Sequence, residues 1–238
     1  TGLTNGTTYY FKVAAVNSVG TGTQTSSVSA TPSASATSPG VPQSLSATRG
    51  NTQVALSWSA PSSDGGATIT GYKVYQSTDD ASFSEVATPS GTSHTITGLT
   101  NGTTYYFKVA AVNSVGTGTQ TSSVNAVPAT TPGVPQSLSG TRGNTQVALS
   151  WSAPSSNGGT AVTGYKVYQS TDDASFSEVA TPSGTSHTVT GLTNGTTYYF
   201  KVAAVNAVGT GTQTSSVNAV PATTPGVPQS LSATHGNA

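Results

Sequence analysis

Apolar side chains alternate with polar ones along most of the chain, at the period of two that is typical of half-buried β-strands. In one such stretch, Val54, Leu56 and Trp58 alternate with small or polar residues. Turn residues interrupt the alternation about every eight to twelve positions, as in antiparallel β-sandwiches. The pattern predicts no helix and seven strands between Pro42 and residue 127: an edge strand after Pro42, then 53–58, 69–76, 82–87, 93–97, 105–112 and 122–127.

The phase of the alternation predicts which side chains are buried. On the longest strand, Tyr105 and Phe107 share the inward phase, whereas Lys108 and Ala110 point outward. The same reasoning applies to the repeated copy of these strands. The aromatic residues expected in the two cores are Trp58, Tyr72, Tyr105 and Phe107, and Trp151, Tyr165, Tyr198 and Phe200.

The sequence repeats itself with a period of 93 residues, since 39–131 and 132–224 differ at only seven positions. Copying extends past both units: 1–32 matches 97–128 at all but two positions, and 225–237 matches 132–144 at all but two. Self-similarity at a fixed long period indicates an array of compact domains. We expect the C-terminal part of a module at 1–32, linkers at 33–38, 129–131 and 222–224, complete modules at 39–128 and 132–221, and the N-terminal part of a further module at 225–238.

The partial units predict a longer natural protein. Because 1–32 supplies only two strands, Tyr9 and Phe11 have no opposing sheet within this sequence. We therefore expect residues before Thr1 and after Ala238. Prolines flanking the linker at 129–131 favour an extended, semi-rigid spacer, and the longer linker at 33–38 is expected to bend more.

Composition excludes several function classes. Seven Lys and Arg balance seven Asp and Glu, and charged residues make up only 6% of the chain. Nucleic acid and anionic lipid are therefore not expected partners, because both attract a basic surface. No apolar run approaches the roughly 18 residues of a membrane helix, so this segment is not expected to insert. The absence of cysteine excludes disulfides and thiolate chemistry.

The titratable residues do not form a pattern that indicates catalysis, a metal or a cofactor. His94 and His187 occur once per repeat among hydroxyl residues, which predicts solvated strand histidines. Asp79, Asp80 and Glu85 lack the spacing and the glycine of a calcium loop, so they are interpreted as turn carboxylates. No catalytic residue, metal ligand or cofactor is predicted.

One set of residues in the first complete repeat is informative as a group: Pro42, Trp58, the run Gly71 to Val74, Leu99 with Tyr105, and the run Val109 to Asn113 followed by Gly116 and Gly118. Taken together, these residues resemble a fibronectin type III domain, and the resemblance covers each complete repeat. The resemblance implies an all-β fold of tandem seven-stranded antiparallel sandwiches. It also implies that Tyr105 is a buried tyrosine corner with its hydroxyl bonded to nearby backbone. The Arg-Gly-Asp motif of some animal members is missing, because Arg49 and Gly50 are followed by Asn51 where the motif has aspartate. Integrin binding is therefore not implied.

Outward tyrosines on adjacent strands form a possible contact face, consisting of Tyr75 and Tyr106 in one repeat and Tyr168 and Tyr199 in the next. Three interpretations stay open: a cross-strand pair that shields the sheet, contact with another copy, and stacking on sugar rings. A glycan is a further possibility at Asn5, Asn101 and Asn194, each of which begins Asn-Gly-Thr. The Asn-Gly turn explains the same residues without a sugar, and we prefer that interpretation.

Near identity of neighbouring repeats favours a structural function over an active site. The resemblance implies a bacterial or archaeal secreted or cell-surface repeat protein, and the leading hypothesis is a segment of a long extracellular stalk, fibre or filament. Other copies of itself are then the expected partners. The alternatives are spacer modules of a secreted polysaccharide-degrading enzyme, and an adhesin or glycan-binding module whose partner is polysaccharide.

Overall fold

A computed structural model describes residues 2–233 and contains sixteen β-strands and no helix within them. The first two form a hairpin, and seven follow in each complete repeat. The bounds are β1 Tyr9–Phe11, β2 Val28–Ala30, β3 Gln43–Gly50, β4 Gln53–Ser59, β5 Gly71–Ser77, β6 Ser84–Ala87, β7 Ser93–Thr97, β8 Tyr105–Val112, β9 Val124–Ala126, β10 Gln136–Gly143, β11 Gln146–Ser152, β12 Val162–Ser170, β13 Ser177–Ala180, β14 Ser186–Thr190, β15 Tyr198–Asn206 and β16 Val217–Ala219.

Each complete repeat builds two sheets with the same strand order. In the first module the orders are β3-β4-β7 and β6-β5-β8-β9, and in the second they are β10-β11-β14 and β13-β12-β15-β16. The pairings described for the second module are all antiparallel. The prediction of tandem all-β sandwiches is confirmed.

The buried core follows the predicted phase. Along β11, Val147, Leu149 and Trp151 are buried while the residues between them are exposed. Trp151 meets Tyr165 of the opposing sheet edge to face, with ring centroids 5.4 Å apart, an arrangement that aromatic pairs favour. All eight aromatic residues predicted for the two cores are at most 8% exposed.

Two strands are shorter than predicted. At their ends, side-chain oxygens accept backbone N–H groups that the carbonyls of a neighbouring strand would accept in a regular sheet. β6 begins at Ser84 and not at residue 82, since the Asp79 carboxylate accepts the backbone N–H of Ser82. β9 begins at Val124 and not at residue 122. Here the hydroxyl of Thr121 accepts the N–H of Val109 at 3.1 Å, which a neighbouring strand's carbonyl would accept in a regular ladder.

Two further predictions need correction. β5 begins at Gly71 and not at Ile69, although its counterpart β12 begins at Val162, the equivalent of Ile69, and has a register shift before Gly164. Ala110 was predicted to face out but is fully buried. It lies opposite Lys73 in the β5–β8 pairing, on the outer face of the sheet. Its side chain is a single methyl group, which is too short to reach solvent from this position, whereas a longer side chain would reach it.

Among residues 2–233, no sheet covers the N-terminal hairpin. Tyr9 pairs with Ala30 and Phe11 with Val28, yet Phe11 is 42% exposed and Val13 69% exposed. Within residues 2–233 the hairpin forms a two-stranded sheet of its own, and the partial module at 1–32 stays a prediction. The predicted partial module at 225–238 is described only as far as residue 233, over which it forms no strand, and its remainder lies outside the described residues.

Candidate functional site

The four predicted contact tyrosines lie on the outer faces of the four-stranded sheets. Tyr75 on β5 pairs with Lys108 on β8, and Tyr106 pairs with Ser77, so the two rings are diagonal neighbours. Tyr168 and Tyr199 repeat the arrangement on β12 and β15. All four side chains are half-buried. The structure thus brings the tyrosines together, but it exposes less of each ring than a freely presented aromatic would show.

Charged groups cover part of these tyrosine faces. The Lys73 ammonium donates to the Glu85 carboxylate at 2.8 Å, and Lys166 and Glu178 form the same pair. The hydrogen bond and the charge of Glu85 raise the pKa of Lys73. Because both side chains of the pair are about one-third exposed or more, solvent screens their attraction and the pair contributes little to stability.

The Lys108 ammonium lies 4.1 Å from the centre of the Phe83 ring, and Lys201 lies 4.0 Å from that of Phe176. Such cation–π contacts hold the lysine stem against the sheet. Phe83 is half-buried beneath this lysine. The outer face is therefore a packed cluster of half-buried rings and ammonium groups.

The two histidines face the interior side of their strands. His187 lies opposite the core residue Leu149 in the β11–β14 register, and both His94 and His187 are half-buried. Among residues 2–233, neither imidazole has a hydrogen bond to a serine or an aspartate. The sequence placed these histidines on the right strands but missed their inward phase, which the alternation with Ile96 and Val189 could have shown.

The aspartates of the predicted turns serve their own backbone. Oδ1 of Asp79 accepts from the Ser77 hydroxyl at 2.6 Å and from the N–H groups of Ala81 at 2.9 Å and Ser82 at 2.8 Å. The hydroxyl, followed by the two N–H groups, holds the pKa of Asp79 far below its ordinary value. The equivalent bonds lower the pKa of Asp172 to about 2. Within residues 2–233, no three acidic or histidine side chains are grouped as metal ligands.

The amides of the Asn-Gly-Thr sites connect two turns. Oδ1 of Asn101 accepts the N–H of Thr52 at 2.8 Å, while its Nδ2 donates to Oδ1 of Asn51 at 2.8 Å. Asn194 makes the same bonds to Thr145 and Asn144. Nδ2 is the atom to which an N-linked glycan would be attached. The geometry shows a structural role for these amides, and glycosylation at Asn5, Asn101 and Asn194 stays a prediction.

The tyrosine expected at the corner before the longest strand is buried in both modules. In the second module the Tyr198 hydroxyl accepts the N–H of Thr193 at 3.1 Å, and Tyr105 in the first is 8% exposed. This combination of a sandwich, a buried tryptophan and a tyrosine corner matches the resemblance noted from the sequence. Residues 40–127 and 133–220 match the family model for the fibronectin type III domain. The chain belongs to this family.

Fibronectin type III segments similar to this one occur in much longer proteins. Exoglucanase B of Cellulomonas fimi is 33% identical over 94% of this chain, which spans 21% of that enzyme. Chitinase A1 of Niallia circulans is 35% identical over 75% of this chain and 25% of that protein. A Kelch domain-containing protein of Saccharolobus solfataricus is 34% identical over 71% of this chain and 22% of its own length. This chain thus spans about a fifth to a quarter of each relative.

Residues 2–233 contain no helix that could cross a bilayer.

Proposed function

We propose that this fibronectin type III segment is a non-catalytic, structural part of a long extracellular stalk, fibre or filament. The observation that carries the proposal is the near identity of its two complete modules, which differ at seven positions and repeat the same two sheets. Selection for length or for a repeated surface tolerates such duplication, even though neighbouring copies this alike risk exchanging strands during folding.

The chemistry of the surface supports a structural role. In each module one aspartate orders its own turn, one lysine and one glutamate form an ion pair, and a second lysine lies over an aromatic ring. With no net charge, copies of the chain do not repel one another strongly. Other copies of the same protein are therefore the partners that we propose.

Immunogold labelling of intact cells with an antibody raised against these modules tests the proposal. Label on extended surface structures is the expected result. Label confined to the cell interior would contradict the extracellular assignment. Labelled protein that is released into the medium as a free enzyme, and not attached to the cells, would contradict the stalk.

A second candidate function is a spacer within a polysaccharide-degrading enzyme, favoured by the similarity to segments of an exoglucanase and a chitinase. The full-length protein would then hydrolyse a glucan or chitin, while this segment alone would not. Hydrolysis by the full-length protein together with its absence from surface structures would favour the spacer over the stalk.

A further inference from the structure

A residue that precedes each module is hydrogen-bonded to the module that follows it. The N–H of Thr130 donates to the carbonyl of Gly158 at 2.8 Å. Its carbonyl accepts from Nδ2 of Asn206, also at 2.8 Å. Thr130 lies outside the matched range of 133–220, yet both of its backbone polar groups are paired within the module.

Asn206 joins three segments of the second module. Its side chain is buried, and Nδ2 donates to the carbonyl of Asn157 at 2.8 Å as well as to that of Thr130. Oδ1 accepts the N–H groups of Val208 at 2.9 Å and Gly209 at 3.2 Å. An asparagine amide offers two donors and two acceptor positions, so every one of them is used. The side chain fits this single arrangement of the flank and the two loops.

Two glycines shape the surface over which the flank passes. A Cβ atom at Gly158 would overlap the carbonyl oxygen of Thr130, and one at Gly211 would overlap that of Pro132. Gly158 also has a φ of 77°, which disfavours any side chain. The site thus accepts bare extended backbone at close range.

The first module repeats the site. The N–H of Thr37 donates to the Gly65 carbonyl at 2.8 Å, and Nδ2 of Asn113 donates to the Thr37 carbonyl at 2.7 Å. A Cβ at Gly118 would overlap the Pro39 carbonyl, just as a Cβ at Gly211 would overlap that of Pro132. One of the seven sequence differences, Asp64 against Asn157, falls in this site, but the asparagine amide bonds only to the backbone carbonyl of that residue.

The N-terminal hairpin shows what remains when the other strands are missing. Oδ1 of Asn17, the equivalent of Asn113, still accepts the N–H groups of Val19 and Gly20. Its Nδ2 has no hydrogen-bond partner among the described residues. The asparagine therefore orders its own turn locally, through its acceptor oxygen alone.

The residue after each module is also bonded to that module. The N–H of Ala129 donates to the Gly50 carbonyl at 3.0 Å, and Ala222 does the same with Gly143 at 3.0 Å. Ala129 and Thr130 are consecutive, so no residue separates the two bonded flanks at this joint. Between Pro32 and Thr37 the sequence is three residues longer than between Pro128 and Thr130.

We propose that Asn206 and Asn113, each with its two glycines, form a binding site on every module for the extended backbone that precedes it, and that the number of residues between bonded flanks sets the slack of each joint. The stiffness expected of 129–131 then comes from hydrogen bonds to Thr130 more than from its flanking prolines. The joint at 33–38 gains its freedom from three inserted residues.

Amide hydrogen exchange of the full chain, followed by NMR, tests the binding site. Asn206→Asp keeps the acceptor half of the side chain but loses both Nδ2 donors, so we expect faster exchange at the Thr130 N–H. Protection at Ala222 and at ladder amides of β15 should persist and shows that the module is folded. The matched control, Asn113→Asp, should expose Thr37 and leave Thr130 unchanged. Unprotected Thr130 in the parent, or full protection in Asn206→Asp, would overturn the site.

A second variant keeps the test informative if Asn206→Asp fails to fold. Gly211→Ala introduces a Cβ against Pro132 and should also speed exchange at Thr130, while Gly118→Ala serves as its control. Unchanged exchange in a folded Gly211→Ala protein would count against the close backbone approach.

Joint slack is measured with spin labels at Ala55→Cys and Ala148→Cys, because the chain has no other cysteine. Insertion of Ala-Ser-Ala after Ala129 should widen the distance distribution by up to about 10 Å, the reach of three residues. A parent distribution as wide as that of the insertion variant would refute the control of slack by joint length.

Discussion

The N-terminal hairpin and the end of the first module have nearly the same sequence in different surroundings. Phe11 is 42% exposed and its equivalent Phe107 is fully buried, while Val13 is 69% exposed and Val109 is fully buried. The strand also changes length, from three residues in β1 to eight in β8. Nearly identical residues thus form a short ribbon alone and a long central strand when neighbours pair with both edges.

What survives in the hairpin identifies the local part of the fold. The Tyr9 hydroxyl still accepts the N–H of Thr4 at 2.9 Å, and Asn17 still orders its turn. The tyrosine corner and the turn at Asn17 are therefore encoded by nearby residues. Burial and strand length depend on the opposing sheet, because a two-stranded ribbon has too little apolar contact to be stable alone.

The largest expected effect is the loss of a buried ring. Phe107→Ala should lower the free energy of unfolding of the first module by about 3 to 5 kcal/mol, because it removes a fully buried side chain and leaves a cavity. The matched control, Phe11→Ala, should change stability by less than about 0.5 kcal/mol. Urea denaturation monitored by tryptophan fluorescence measures both.

Equal effects of the two phenylalanine substitutions would break the comparison. A large effect of Phe11→Ala would mean that the hairpin finds a covering surface in solution. No effect of Phe107→Ala would contradict the strand phases on which the fold is built.

The core was predictable because alternation along β4 and β8 directly reports which face is buried. The tyrosine corner was expected only from the resemblance to the fibronectin type III family. Strand ends were less predictable, since the side chains of Asp79 and Thr121 accept backbone N–H groups in place of the carbonyls of a neighbouring strand. The pairing of Asn206 with Thr130 was not predictable at all. These residues are 76 positions apart, and only the folded module brings the amide to the flank.

Asp172 tests a local motif that does not depend on the core, and its three hydrogen bonds should make it the next largest effect. Since its folded pKa of about 2 lies below the unfolded value, the carboxylate stabilises the module above the unfolded pKa. That stabilisation is lost as pH falls from about 4 towards 2. Asp172→Asn should therefore lower the melting temperature at pH 7 and approach the parent at pH 2.

Thermal melts across this pH range measure the Asp172 effect, with Asp173→Asn as control. A melting-temperature difference that stays constant with pH would show that the charge of Asp172 is not responsible.

Asn194 tests a bond between turns that the hairpin cannot make. Asn194→Ala removes the bonds to Thr145 and Asn144 and should cost about 1 kcal/mol. Asn5→Ala should cost almost nothing, because the first hairpin lacks the partner turn. Denaturation of both variants provides the measurement. A loss of mass from the natural protein after Asn194→Ala would instead reveal a glycan at this site.

The smallest expected effect on stability concerns the contact tyrosines. Tyr106→Ser together with Tyr199→Ser should cost each module about 0.2 to 1 kcal/mol, the range of a cross-strand pair. The hairpin supplies the control, because Tyr10 is the equivalent of Tyr106 and is 74% exposed. Tyr10→Ser should leave stability unchanged.

The same tyrosine variants decide what the outer face contacts. Loss of self-association in sedimentation experiments would identify other copies as the partner, and loss of retention on insoluble chitin or cellulose would identify polysaccharide. The Tyr10→Ser control separates a specific contact by the tyrosine face from nonspecific adhesion of an exposed ring. If any exposed ring were sufficient, Tyr10→Ser would cause the same loss. If neither association nor retention changes, Tyr75, Tyr106, Tyr168 and Tyr199 only shield their sheets, and the contact face would have to be abandoned.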